Sequence, residues 1–275
     1  MGRDSEGSSS TSASALVMAE VDQVLDHTVT FLSKRDGIDK VLKMAKYLSS
    51  LGVELSGEKG GELDKLEAAL GLSRKAFRLG KFLGNVKKFR AILEKHRKNK
   101  CSSFDGQSGK DDEAHQRVLL FLSLVFNCSE GLYYFLDQLQ FLVKAKVVKK
   151  SDTVKQVKKI ATYAEILSYV TDSLYQVACI RKIQEGRKRL GQQEGEIPPH
   201  GLEMKSEKGA RASEREEKCV SEIYECRVVL AQNMADFCLA LSDLKDDLGF
   251  LSGSKFLASM GLLSAAIGMR AKWKK

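Results

Sequence analysis

The sequence predicts an all-α fold, a membrane-associated helical bundle with a basic amphipathic helix and a C-terminal hydrophobic helix. Three observations carry that expectation. Only 2 prolines occur in 275 residues, side by side at Pro198-Pro199, so almost nothing interrupts long helices. Apolar residues recur at three- and four-residue steps along most of the chain, and no strict alternation or tandem repeat appears. One segment also carries cations without a single acidic residue, which an ordinary solvated helix avoids.

Residues 1–18 are rich in Ser and Gly and read as disordered. N-terminal helices follow over 19–97. Val21, Val24, Leu25, Phe31 and Leu32 mark the first, and Ile38, Val41, Leu42, Ala45 and Leu48 the second. A break or bend is expected at Arg35-Asp36-Gly37, and a Gly-bearing loop from Ser49 to Gly61. Residues 63–97 read as one further helix. A polar connector spans 98–113, and hydrophobic and amphipathic helices fill 114–184. Residues 185–217 hold both prolines and dense mixed charge, and read as a flexible linker. C-terminal helices occupy 218–275, with a membrane segment at 250–269.

The basic amphipathic helix is Leu72–Leu93. At 100° per residue Ala76, Leu79, Phe82, Leu83, Val86 and Phe89 fall in one arc of about 140°, the expected membrane-inserting face. Arg74, Lys75, Arg78, Lys81, Lys87, Lys88 and Arg90 are the expected ligands of anionic lipid. Their mutual repulsion calls for an external anion, and a lipid interface supplies one with acyl chains beneath. Nucleic acid fits less well, because Phe82 and Phe89 lie in the apolar arc, away from most of the cations. The bland alternative is a helix that packs its apolar face on its own protein.

No stretch of 18 uncharged apolar residues is present. Allowing one charge gives Val118–Leu136, interrupted by Glu130, and Phe250–Met269, interrupted by Lys255. Lys255 lies near an end and can snorkel, whereas a mid-segment Glu130 is costly. The C-terminal segment is therefore the better span. Gly261 with Ala265, and Ser264 with Gly268, give it small residues at four-residue spacing, the pattern that lets helices associate closely in lipid. Arg270, Lys272, Trp273, Lys274 and Lys275 beside it predict a cytosolic C-terminus.

The balance of 45 Lys+Arg against 36 Asp+Glu, net +9, favours an anionic surface as partner. The 6 cysteines show no C-x-x-C spacing and read as reduced thiols, with no metal site. The 4 histidines are isolated, and no phosphate loop, nucleophile elbow or H-E-x-x-H is present, so no catalytic residue and no cofactor is expected. The N-terminus lacks the apolar core of a secretory signal. A soluble helical scaffold or interaction module stays open as the alternative function.

Three blocks, in order, resemble the peroxisomal biogenesis factor 11 (peroxin-11) family. Phe31–Leu51 resembles its N-terminal signature through Arg35-Asp36-Gly37, Asp39-Lys40 and Lys43. Leu72–Phe82 resembles its basic amphipathic block, and Gly261–Arg270 its closing hydrophobic segment. The resemblance implies a multi-pass or hairpin protein of the peroxisomal membrane that promotes elongation, proliferation and fission of the organelle. It further implies self-association, pairing with related members, and recruitment of a dynamin-related GTPase with its membrane adaptor.

Overall fold

The computed structural model describes residues 23, 28, 30–31, 34–57, 60–102, 110–148, 152–194, 202–244 and 253–273. The expected disordered stretch 1–18 lies outside the described residues, as does most of the helix expected from Ala19. Among the described residues 94% are helical, in seven helices with no strand. The all-α expectation holds.

Helix α1 spans Arg35–Ser56. It begins where the sequence predicts a break, because a Cβ on Gly37 would collide with the Phe31 carbonyl. Its end is set by Gly57, whose φ of 73° is left-handed and whose N–H reaches the Val53 carbonyl. The loop expected from Ser49 thus starts a full two turns later. Helix α2 spans Glu62–Phe77, with Glu62 and Asp64 at its start and Arg74 and Lys75 in its last turn, each suited to the helix dipole.

Helix α3 spans Lys81–Ser102. The single helix expected over 63–97, and with it the continuous helix 72–93, is therefore two helices joined by a turn at Arg78–Gly80. Two features fix the break. Gly80 takes a φ of 74°, which ends a right-handed helix. Arg35 on α1 donates its guanidinium N–H groups to the carbonyls of Phe77 and Leu79, satisfying acceptors a helix end leaves open. Periodicity alone shows neither.

Helices α4 (Lys110–Lys144), α5 (Asp152–Glu194), α6 (Leu202–Leu244) and α7 (Ser254–Trp273) complete the chain. The connector expected at 98–113 is shorter, since α3 runs to Ser102 and α4 starts at Lys110. The flexible linker expected at 185–217 is likewise overtaken by helix on both sides. Its Glu, Lys, Arg and Gln are good helix formers, and Arg187 of α5 pairs with Glu216 of α6.

Helices α1, α2, α4, α5, α6 and α7 form a closed ring in which each touches the next, and α3 lies outside the ring against α4. The buried residues are polar about as often as apolar, and most of the buried apolar ones are alanines. Among the described residues Asp39, Lys43, Asn127, Asp137, Ser168, Thr171, Asn233, Asp236 and Ser264 are buried, while Phe121, Phe135, Leu167, Leu174 and Met234 are exposed. A water-soluble bundle has the opposite distribution.

Candidate functional site

The seven cations expected to meet lipid separate into two groups. Arg74 and Arg78 both bind Asp39 of α1, at 3.3 and 3.1 Å. Arg78 also donates to the Tyr133 hydroxyl at 3.2 Å, and Lys75 pairs with Asp137 of α4. The carboxylates are almost inaccessible, Asp39 at 5% and Asp137 at 3% exposure. Burial by itself would raise the Asp39 carboxyl. The guanidinium groups of Arg78 and Arg74, helped by Lys81 and Lys40, outweigh that and hold it well below the usual carboxylate range. Lys81 pairs with Asp36 at 3.3 Å and lies over the Tyr134 ring. These four cations are turned into the ring. Lys87, Lys88 and Arg90 remain on the outside of α3, exposed to the surroundings.

The apolar arc divides as well. Phe82 and Phe89 are half-buried, with the Phe82 ring packed edge-on against Phe135 of α4 at 5.6 Å. Ala76 is half-buried on α2. Leu79, Leu83, Val86 and, two turns further, Leu93 are exposed, Leu83 by 60% and Val86 by 46%. The most buried side chain of α3 is Asn85, which the sequence places among the polar residues. Its amide donates to Glu130 at 2.7 Å, and its Cβ lies 3.2 Å from where a side chain on Gly131 would start. A glycine at 131 is what lets α3 approach.

The small residues of the C-terminal helix have an occupant within the chain. Gly261, Ser264, Ala265 and Gly268 are all buried. A Cβ at Gly261 would collide with the Tyr47 ring of α1, and one at Gly268 would lie 2.8 Å from the Lys40 side chain. Ser264 accepts from Lys43 at 2.6 Å, and the same ammonium is 2.5 Å from Asp236 of α6. Within one chain this stripe seats α7 on α1, because only small residues leave room for Lys40, Lys43 and Tyr47.

Among the described residues the one helix long and apolar enough to cross a membrane is Ala114–Lys144. The objection to it was its acidic residues. Glu130 is satisfied by Asn85 and by the Tyr134 hydroxyl at 3.4 Å, and Asp137 by Lys75. Neither carboxylate faces outward.

Sequence reasoning missed the inner network because its members are far apart in the chain. The one available signal was the run from Arg35 to Lys43, in which Arg35, Asp36, Asp39, Lys40 and Lys43 each touch a distant element. Asp36, for example, also binds Lys272 of α7 at 3.0 Å. No group of three His, Cys, Asp or Glu among the described residues could hold a metal ion.

A sequence profile of the family described as peroxisomal biogenesis factor 11 matches residues 25–273. Peroxisomal membrane protein 11A of Arabidopsis thaliana is 30% identical, over 90% of this chain and 92% of its own length. Peroxisomal membrane protein 11-3 of Oryza sativa subsp. japonica is also 30% identical, over 90% of this chain and 88% of its own. Peroxisomal membrane protein 11B of Arabidopsis thaliana is 29% identical, over 90% and 97%. No solved structure matches the chain.

Proposed function

The chain belongs to the peroxisomal biogenesis factor 11 family, and from that premise we propose that it acts in the peroxisomal membrane, promoting elongation, proliferation and fission by inserting α3 into the cytosolic leaflet. The observation that carries this reading is the outward pairing of exposed leucines with exposed cations on α3. Burying the exposed parts of Leu79, Leu83, Val86 and Leu93 contributes roughly 3–5 kcal/mol. Lys87, Lys88 and Arg90 add about 1 kcal/mol each near an anionic surface. A helix of 22 residues is about 33 Å long, and shallow insertion of that length expands one leaflet against the other.

The docked position of α3 is the resting one on this reading. Asn85 lies level with Gly131, so Lys87 and Lys88 stand beside the middle of α4. Each exposed cation at a bilayer centre costs about 2.5–3.5 kcal/mol. When α4 enters lipid, α3 therefore swings away about Arg78–Gly80 and settles in the headgroup layer. Glu130 then keeps the Tyr134 hydroxyl as partner. Self-association concentrates the inserted helices, and a dynamin-related GTPase with its membrane adaptor completes fission. Arg270 and Lys272 beside Trp273 keep the C-terminus in the cytosol.

The test is full-length protein carrying Leu83→Asp with Val86→Asp, added to anionic vesicles and imaged by electron microscopy. Both side chains are exposed, so helix content should be unchanged and tubules should disappear. Tubules at wild-type frequency from the folded double variant would exclude α3 as the inserting element.

A further inference from the structure

Helices α4 and α5 pack on each other, and each has an exposed side from which charged groups are missing. Between residues 118 and 143 the exposed side chains are Val118, Phe121, Cys128, Leu132, Phe135 and Leu139. Between residues 160 and 180 they are Ile160, Tyr163, Leu167, Val170, Leu174 and Val177. The second set recurs at steps of 3, 4, 3, 4 and 3, so it runs as one stripe along α5.

The charged residues of the same two windows all have partners and none is exposed, with Glu130 facing α3. Glu130 and Asp137 are held as described above. Glu165 accepts from the Tyr169 hydroxyl at 2.9 Å, and Asp172 from the amides of Asn233 at 2.7 Å and Gln176 at 3.1 Å. Exposed cations resume at the window edges: Arg117 and Lys144 on α4, Lys158, Lys159, Arg181 and Lys182 on α5. At 1.5 Å per residue the stripes measure about 32 and 26 Å, against a hydrocarbon core of about 30 Å.

We infer that α4 and α5 cross the bilayer together as a helical hairpin, with the α5 stripe against acyl chains. The inference rests on the membrane reading above and extends it to a helix whose composition conceals it. Inward Thr162, Glu165, Ser168, Thr171 and Asp172 dilute the hydropathy of α5, yet none of them meets lipid. Lipid, not a second copy of the chain, is the occupant for two reasons. The stripe lies on a helix packed directly on α4, whose own exposed side chains in the window are the apolar ones named above. It also consists of large side chains, aliphatic except for Tyr163 near one end, without the small residues that let helices approach closely inside a membrane.

The test uses full-length protein with Trp273→Phe, so that a single introduced tryptophan reports. Ile160→Trp, Leu167→Trp and Leu174→Trp sample α5, Leu132→Trp samples α4, and Val220→Trp on α6 is the control outside both windows. Each is reconstituted into phosphatidylcholine and phosphatidylserine vesicles whose acyl chains are brominated at graded depths, with iodide as the aqueous quencher. Circular dichroism checks folding, and Val170→Trp stands in where Leu167→Trp loses helix. The expected result is quenching of residue 167 by deep bromines several-fold stronger than of residue 220, weak quenching by iodide, and a shallower optimum at residue 160. Equal depth at 160, 167 and 174 would mean a hairpin lying in the plane and overturn the crossing. Residue 132 quenched by bromine while iodide reaches 167 would place α5 outside the bilayer. Residue 167 shielded from both quenchers would mean another copy covers it. Only if residue 132 also escapes bromine does the membrane reading itself fail.

Discussion

Replacing the cations of 74–90 three at a time separates two roles that composition cannot tell apart. Lys87→Ala, Lys88→Ala and Arg90→Ala together remove exposed charges, and substitutions of that kind stay within about 0.5 kcal/mol of wild-type stability each. On anionic vesicles they should weaken binding by roughly 3 kcal/mol at low salt, about 1 per charge, which is about a hundredfold in Kd. On neutral vesicles the loss should be small, and added salt should shrink the difference. Arg74→Ala, Lys75→Ala and Arg78→Ala together strand Asp39 and Asp137, which are exposed by only 5% and 3%. Breaking a buried ion pair costs about 3–5 kcal/mol. Two stranded carboxylates thus approach the whole stability of an ordinary domain, about 5–15 kcal/mol. The second triple should fail to reach the folded state in detergent, and Arg78→Ala alone should lower Tm by several degrees with vesicle binding intact. Melting by circular dichroism and vesicle flotation read the two effects separately. If the inner triple melted like wild type and lost lipid binding, or the outer triple unfolded, the division of the cations would be wrong.

Two further outcomes follow from the packing. Gly261→Leu drives a side chain into the Tyr47 ring and should destabilise by about 1–3 kcal/mol or more; cross-linking that showed lost oligomers with unchanged Tm would instead return the small-residue stripe to self-association. The depressed Asp39 carboxyl contributes stability that is complete above its ordinary value of 3.8 and is lost as pH falls toward its folded value. Melting of the purified protein between pH 7 and pH 3 should therefore show a decline below about pH 4, which Asp39→Asn, already lacking the charge, flattens.

Helical class and the broad element order were readable from the chain because they depend on local terms. Absence of proline and a steady apolar period act within a few residues, and they were enough to give the helices and the basic segment. The break inside that segment was not readable. Gly80 is one of several glycines there, and its left-handed turn is held by Arg35, more than forty residues away. The charged run 185–217 misled for a related reason. Mixed charge with two prolines resembles a linker, yet apart from the prolines and glycines most of its residues are good helix formers, and Arg187 and Glu216 pair only once α5 and α6 lie side by side.

The sequence by itself determined that this protein is built of helices, that it carries a basic, apolar surface suited to an anionic membrane, and that it resembles one family. Which cations stay exposed was decided by tertiary structure. A helical wheel gives every lysine and arginine on one side the same standing, whereas a buried carboxylate claims the cation nearest to it. Asp39 and Asp137 claim Arg74, Lys75 and Arg78, Asp36 takes Lys81, and Lys87, Lys88 and Arg90 are left outside. The inversion of the bundle has the same origin. Once Lys43, Asp236 and Ser264 have satisfied one another across α1, α6 and α7, the polar sides of the helices turn inward and the apolar sides are left to the surroundings.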